Sequence, residues 1–126
     1  MAVAGLPQPA IDHADRLAHM ALDMLDQKDL VAERFGVNIR MRIGIASGPV
    51  MAGIIGSRKF SYDVWGDAVN LAARLESSGE PERVQLSPEV LRALTSFDCE
   101  RRGEIEIKGV GPLETWFLLP RRPSVV

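Results

Sequence analysis

The sequence predicts a mixed fold, α+β or α/β, on three observations. Across residues 14–34, Ala14, Leu17, Ala18, Ala21, Met24 and Leu25 recur at the three-to-four spacing of an amphipathic helix. Across residues 39–45, Ile39, Met41, Ile43 and Ile45 alternate with Arg40, Arg42 and Gly44, the period of a half-buried strand. These two periods keep exchanging to the end of the chain. With 126 residues, one domain around one core is the expectation.

Taken in order, residues 1–7 are apolar and stop at Gly5 and Pro7. They predict the last part of a buried strand, and such a strand has nothing before it to pair with. The reading is therefore of a domain that the chain enters partway. Asp12 is placed to cap the helix over 14–34 and Gly36 to end it. Lys28 interrupts its apolar stripe, so its last turns are expected to be more exposed. Residues 47–49, Ser-Gly-Pro, turn the chain into an extended piece over 50–55, and residues 60–65 make another. A helix follows over 67–77, with Asp67 as its N-cap. Residues 84–86 are a short strand. Ser87 then caps a helix running to residue 95, with Pro88 in the first turn and Glu89 as a favourable early charge. Residues 99–108 and 114–119 close the domain as strands around a turn framed by Gly109 and Gly111. The domain is expected to span residues 1–119, with 120–126 as a tail.

Composition narrows the function classes. The apolar fraction of 46% and charged fraction of 25% are ordinary for a folded soluble protein. A net charge of −2 offers no broad basic surface for nucleic acid, and Arg101-Arg102 and Arg121-Arg122 are isolated pairs. Cys99 is the only cysteine, so no internal disulfide can form, which fits a reducing compartment. No apolar run reaches the roughly 18 residues of a membrane span, and the first residues lack a signal peptide's basic start. The expected location is cytoplasmic, without a membrane segment.

The chemistry concentrates in residues 62–77, YDVWGDAVNLAARLES. Asn70 and Arg74 lie four apart and so share one helix face. Leu71 and Leu75 occupy the neighbouring stripe, which lets the helix pack while it offers an amide and a guanidinium to a cleft. Asp63 sits just upstream, where a carboxylate can accept from the amino edge of a base. On their own, Asn70 and Arg74 are also what a solvated helix face shows, and Asp63 what a turn shows. Other signals carry less. Gly48, Gly53 and Gly56 make no phosphate-binding loop, because no Gly-Lys-Ser/Thr follows. His13 and His19 are six apart, off the register for a shared metal.

As a whole, residues 62–77 resemble the signature of the class III adenylate and guanylate cyclases almost position for position. The resemblance extends over residues 1–119, about the last two thirds of such a catalytic domain. It implies an α+β, ferredoxin-like cyclase domain, N-terminally truncated. It also implies chemistry: ATP converted to cyclic AMP and pyrophosphate, with Asn70 orienting the ribose and Arg74 stabilising the phosphorane-like transition state. Asp63 falls at the base-selecting position and favours adenine. Lys108 matches a phosphate-binding lysine of the late hairpin, although Val110 stands where many relatives carry a second lysine. Arg58 matches a phosphate contact of some relatives. In the family, the stretch from Gly44 to Gly56 shapes strand bends.

The same resemblance implies what is missing. The family holds two ions, Mg²⁺ or Mn²⁺, on two aspartates that precede the matched segment, and no carboxylate pair here resembles them. Its domains work as head-to-tail dimers, one protomer bringing the metal aspartates and the other the base-reading and transition-state groups. This chain is expected to hold the second set only, and to be inactive alone. It would act as a homodimer or a heterodimer with another cyclase protomer. The alternative is a non-catalytic interaction subunit that dimerises with a complete protomer. A third possibility is that the chain's start is misassigned and that a full enzyme exists.

Overall fold

The computed structural model describes residues 1–6, 8–55 and 61–121, with residues 54, 55 and 61–63 described by backbone alone. Nine elements follow in order: α1 (His13–Phe35), β1 (Ile43–Ile45), β2 (Met51–Ile55), β3 (Ser61–Trp65), α2 (Asp67–Ser77), β4 (Val84–Leu86), α3 (Pro88–Ala93), β5 (Cys99–Ile107) and β6 (Gly111–Leu118). Four strands form a sheet in the order β1-β4-β6-β5, and β2 and β3 form a separate hairpin. Among the described residues only β1 and β4 pair in parallel; the other pairings are antiparallel. The class is therefore α+β.

Strand alternation sorts the sheet's two faces. Ile45, Val84, Leu86 and Leu118 face Ala14, Ala18, Ala21 and Leu22 of α1 and Val90 of α3, and together these make the main core. Gly44, Gln85 and Phe117 stand in register on the opposite face. There α2 packs, with Leu75 fully buried. Each such large apolar side chain contributes about 1.5–3 kcal/mol on burial.

The long helix forms where its apolar spacing predicts. Gly36 adopts a left-handed φ of 63° and returns its N–H toward the last turn, which ends α1. Asp12 precedes the helix but makes no side-chain cap hydrogen bond; its carboxylate pairs with Arg16 instead, 2.9 Å away. Lys28 does not break the buried stripe. It lies within it, 7% exposed, because Asp29 at 2.6 Å and Glu82 both accept from its ammonium. Those contacts, Asp29 first, hold its pKa above the ordinary lysine value. Beyond it Leu30, Val31 and Phe35 are exposed, as expected.

Several expected elements change; β6 begins at Gly111 rather than 114. Residues 1–6 form no strand, and Met1 and Val3 are exposed; no described strand pairs with them. The strand expected over 39–45 shrinks to Ile43–Ile45, since only these residues find partners on β4. Upstream, Met41 instead donates its N–H to the Glu82 carboxylate at 3.0 Å. Glu82 takes a φ of 70°, the only positive value among the described non-glycine residues. Finally, α3 ends at Ala93 rather than 95.

Candidate functional site

The site is organised by α2. Gly66, with a φ of 145°, lets the backbone swing from β3 into the helix while passing close to Pro49 and Val50. Gly66 is the N-cap, and Asp67, expected in that role, is the first helical residue. There its charge still complements the helix dipole. Alanines and leucines supply strong helix formers from residue 68 to 75. Leu75 is buried, while Asn70 and Arg74 are exposed one turn apart. Among the described residues, neither side chain has a hydrogen-bond or ion-pair partner. An amide and an uncommitted guanidinium thus face the same side.

Two devices seat this helix on the sheet. A Cβ at Gly44 would lie 2.4 Å from the Glu76 nitrogen, 2.6 Å from the Ala72 oxygen and 2.8 Å from the Leu75 carbonyl carbon. All three are backbone atoms, so strand and helix touch directly. Gly44 was expected to shape a strand bend; its structural contribution is this close approach. The second device is Gln85, wholly buried on β4. Its Nε2 donates to the Leu75 carbonyl at 2.9 Å and to Ser78 Oγ at 3.1 Å, and its Oε1 accepts from Arg102. Sequence reasoning missed it. The available signal was a lone amide between Val84 and Leu86 in a short buried strand, since a buried polar group demands partners.

Asp63 lies on β3 opposite Gly53, two residues before Trp65, in the strand that feeds α2. A Cβ at Gly53 would stand 3.2 Å from the Trp65 ring. Lys108 occupies the exposed β5–β6 turn, where Gly109 and Gly111 take left-handed φ values of 80° and 97°. No hydrogen bond or ion pair among the described residues links Lys108 to α2. Arg58 lies outside the described residues. The structure thus brings Asn70 and Arg74 together, puts Asp63 on the strand that runs into their helix, and leaves Lys108 on a separate turn.

Two apolar hollows adjoin α2, of about 440 and 510 Å³. Val69 and Ala72 line both, but Asn70 and Arg74 line neither. The polar groups therefore lie on a different side of the helix. Ser47 Oγ, at the first hollow, stands 3.3 Å from His13 Nε2, whose Nδ1 faces the Ala10 carbonyl at 3.0 Å. This imidazole anchors the start of α1 to the loop after β1.

Among the described residues, no three His, Cys, Asp or Glu side chains gather to hold a metal ion. Carboxylates that do approach one another are committed to cations. Asp23 and Asp26 pair with Arg121, and Asp29 and Glu82 with Lys28. The described residues do not fit the divalent ions that the sequence resemblance implies. No described helix is long and apolar enough to cross a membrane.

Residues 1–120 match the family described as Adenylate and Guanylate cyclase catalytic domain. An adenylate cyclase of Mycobacterium tuberculosis (strain ATCC 25618 / H37Rv) is 44% identical over 123 residues, 97% of this chain and 28% of that protein. The guanylate cyclase soluble subunit beta-2 of Rattus norvegicus is 45% identical over 122 residues, 94% of this chain and 18% of its own. In three dimensions, the guanylate cyclase domain of RhGC from Catenaria anguillulae in complex with GTP matches with a TM-score of 0.88 at 32% identity. That match covers 94% of this chain and 66% of the other. The chain spans less than a third of the curated relatives it matches.

Proposed function

Because the chain belongs to the adenylate and guanylate cyclase catalytic domain family, we propose that it supplies the nucleotide-gripping half of an adenylate cyclase site. In the reaction, the ribose 3′-oxygen of ATP bonds to the α-phosphorus as the bond to pyrophosphate breaks, giving cyclic AMP. The hydroxyl proton leaves to solvent or to a base outside this set of residues. Arg74 opposes the negative charge that grows on the α-phosphoryl oxygens in the transition state. A positioned guanidinium of this kind is worth roughly 10³–10⁵ in related phosphoryl transfer. Asn70, one turn earlier, orients the ribose so that its oxygen is held in line.

Asp63 accepts from the exocyclic amine of adenine, a donor that guanine replaces by a carbonyl oxygen. Lys108 and Arg58 are the candidate contacts of the triphosphate. The observation that carries this reading is α2 itself, a helix fixed from behind while its amide and guanidinium face outward without partners among the described residues. The groups that bind divalent ions come from a second protomer, so the working unit is a dimer and this polypeptide alone is inactive.

The test is complementation. The chain is mixed with a class III cyclase protomer that keeps its metal aspartates but has its own transition-state arginine replaced. Cyclic AMP formation from ATP with Mn²⁺ is expected from the mixture and from neither component. Silence of the mixture across a wide concentration range overturns the proposal, as does equal turnover by this chain alone.

A further inference from the structure

Arg74 cannot act from a helix turn that moves, and the last turn of α2 is the part of a helix most prone to fray, since its carbonyls lack intrahelical donors. In this chain those carbonyls are taken up one after another. The Arg74 carbonyl accepts from the Ser78 N–H at 2.9 Å, from Ser78 Oγ at 2.6 Å and from Ser77 Oγ at 3.2 Å. The Leu75 carbonyl accepts from Gln85 Nε2. The Ser78 carbonyl accepts from Arg102 Nη1 at 2.8 Å.

The donors are mutually consistent. Gln85 spends both amide protons, on Leu75 and on Ser78 Oγ, and its oxygen takes a proton from the Arg102 guanidinium. Ser78 Oγ, having accepted from Gln85, passes its own proton to the Arg74 carbonyl. Arg102 lies 5.2 Å from the centre of the Phe117 ring, on the face of the sheet that α2 covers. A directed chain of hydrogen bonds therefore runs from β5 through β4 to the backbone of Arg74. The network is buried at Gln85 and half-buried at Ser78 and Arg102; a buried amide left unpaired is costly, and here every polar atom of Gln85 has a partner.

We infer that Gln85, oriented by Arg102, is the positioning residue for Arg74, fixing the helix turn from which that guanidinium reaches the reacting phosphorus. Gln85 touches no substrate; it acts through the Leu75 and Ser78 links. The inference rests on the catalytic reading of Arg74 above, so its test has one readout that is independent of catalysis.

Three variants are made in the chain, Gln85→Leu, Gln85→Glu and Ser78→Ala. Gln85→Glu keeps an acceptor for Arg102 but loses both donors to α2. Ser78→Ala, at a half-buried position, removes the Gln85–Ser78 and Ser78–Arg74 side-chain bonds but leaves the Gln85–Leu75 bond in place. In hydrogen exchange of the chain alone, the Ser78 and Gly79 amides should exchange at least tenfold faster in both Gln85 variants, with α1 amides unchanged. In the complementation assay, kcat should fall about tenfold or more for the Gln85 variants and less for Ser78→Ala, with KM within twofold. Misplacing a catalytic group by about 1 Å can cost about 10²-fold, and a loosened helix turn incurs part of that. If Gln85→Leu does not fold, the other two variants decide the question. Unchanged exchange at Ser78 and Gly79 overturns the inference alone, as does a Gln85→Glu protein with wild-type kcat. A wild-type mixture without activity overturns the catalytic reading, while faster exchange would still establish the helix-fixing role.

Discussion

Helix α2 and the β2–β3 hairpin carry the two ends of the candidate site, and the molecule holds them by different means. α2 lies directly against β1 at Gly44 and is bonded to β4 through Gln85. The hairpin is a two-stranded sheet of its own, and among the described residues its main contact outside itself is that of β3 with α2. A lone hairpin is marginally stable at best, so Asp63 takes its position from the helix it feeds. Arg74 sits at the other end of that helix, in the turn held by β1 and β4. The group assigned to the reacting phosphorus is therefore built into the core, and the group assigned to the base is appended to it. On the proposed assignment, base preference could change without disturbing the chemistry, which suits a family described by both adenylate and guanylate cyclases.

The sharpest way to break this contrast is at its chemical end. Arg74→Ala should lower kcat of the complemented pair by about 10³-fold or more, with little change in thermal stability, because the side chain is exposed and has no partner among the described residues. A loss below tenfold would remove Arg74 from the mechanism. Next comes the seat of the helix. Gly44→Ala drives a methyl into three backbone atoms that cannot step aside, and it should cost about 1–3 kcal/mol. Calorimetry should show the melting point several degrees lower. Gly53→Ala in the hairpin meets only the edge of the Trp65 ring, 41% exposed and able to shift. Its cost should be well below that of Gly44→Ala. Equal costs would mean that the two regions are held alike.

A smaller effect belongs to the base. Asp63→Cys removes a charged acceptor for the adenine amine, and the ATP-over-GTP ratio of kcat/KM should fall by about 10–150-fold, the worth of one hydrogen bond to a charged group. The change should fall mainly in that ratio, with α2 exchange rates untouched. A ratio that stays constant would take base reading away from Asp63.

Much of this contrast was legible in the sequence, but unevenly. The apolar spacing over 14–34 and the pairing of Asn70 with Arg74 report local geometry, and local geometry is what periodicity encodes. The strand expected over 39–45 kept only three residues, because pairing depends on the length of the partner β4, which periodicity does not register. Residues 1–6 read as a strand from apolar content alone, and apolar content does not supply a neighbour to pair with. Lys28 looked like a break in the helix stripe because its partner Glu82 lies 54 residues away. Gln85 drew no expectation, and Gly44 was expected to bend a strand rather than to seat a helix. Both lie against backbone atoms of α2, the Leu75 carbonyl for Gln85 and the Ala72–Glu76 turn for Gly44, and no side-chain pattern advertises a backbone atom. Asp67 failed as a cap because the chain used Gly66 to turn the corner.

The smallest expected effect lies on the far side of the sheet and tests whether that side is a bystander. Asp15 on α1 accepts from the Thr95 N–H at 2.9 Å and from the Thr95 hydroxyl, tying α1 to the residues just after α3. Partial burial pushes its pKa up, but the Thr95 hydrogen bonds and the nearby His19 outweigh that and leave it below the ordinary aspartate value. A carboxylate depressed in the folded state adds stability that is complete above its unfolded pKa, about 3.9. That stability is lost as pH falls through the lower folded value. Asp15→Asn should therefore cost less than about 1 kcal/mol at pH 7, given its partial exposure. In urea unfolding, the gap from wild type should narrow steadily once the pH drops below about 4. Activity of the complemented pair should stay the same, since neither Asp15 nor Thr95 contacts α2. A change in kcat from this variant would show that the two faces of the sheet communicate, and that the anchoring of Arg74 extends beyond Gly44 and Gln85.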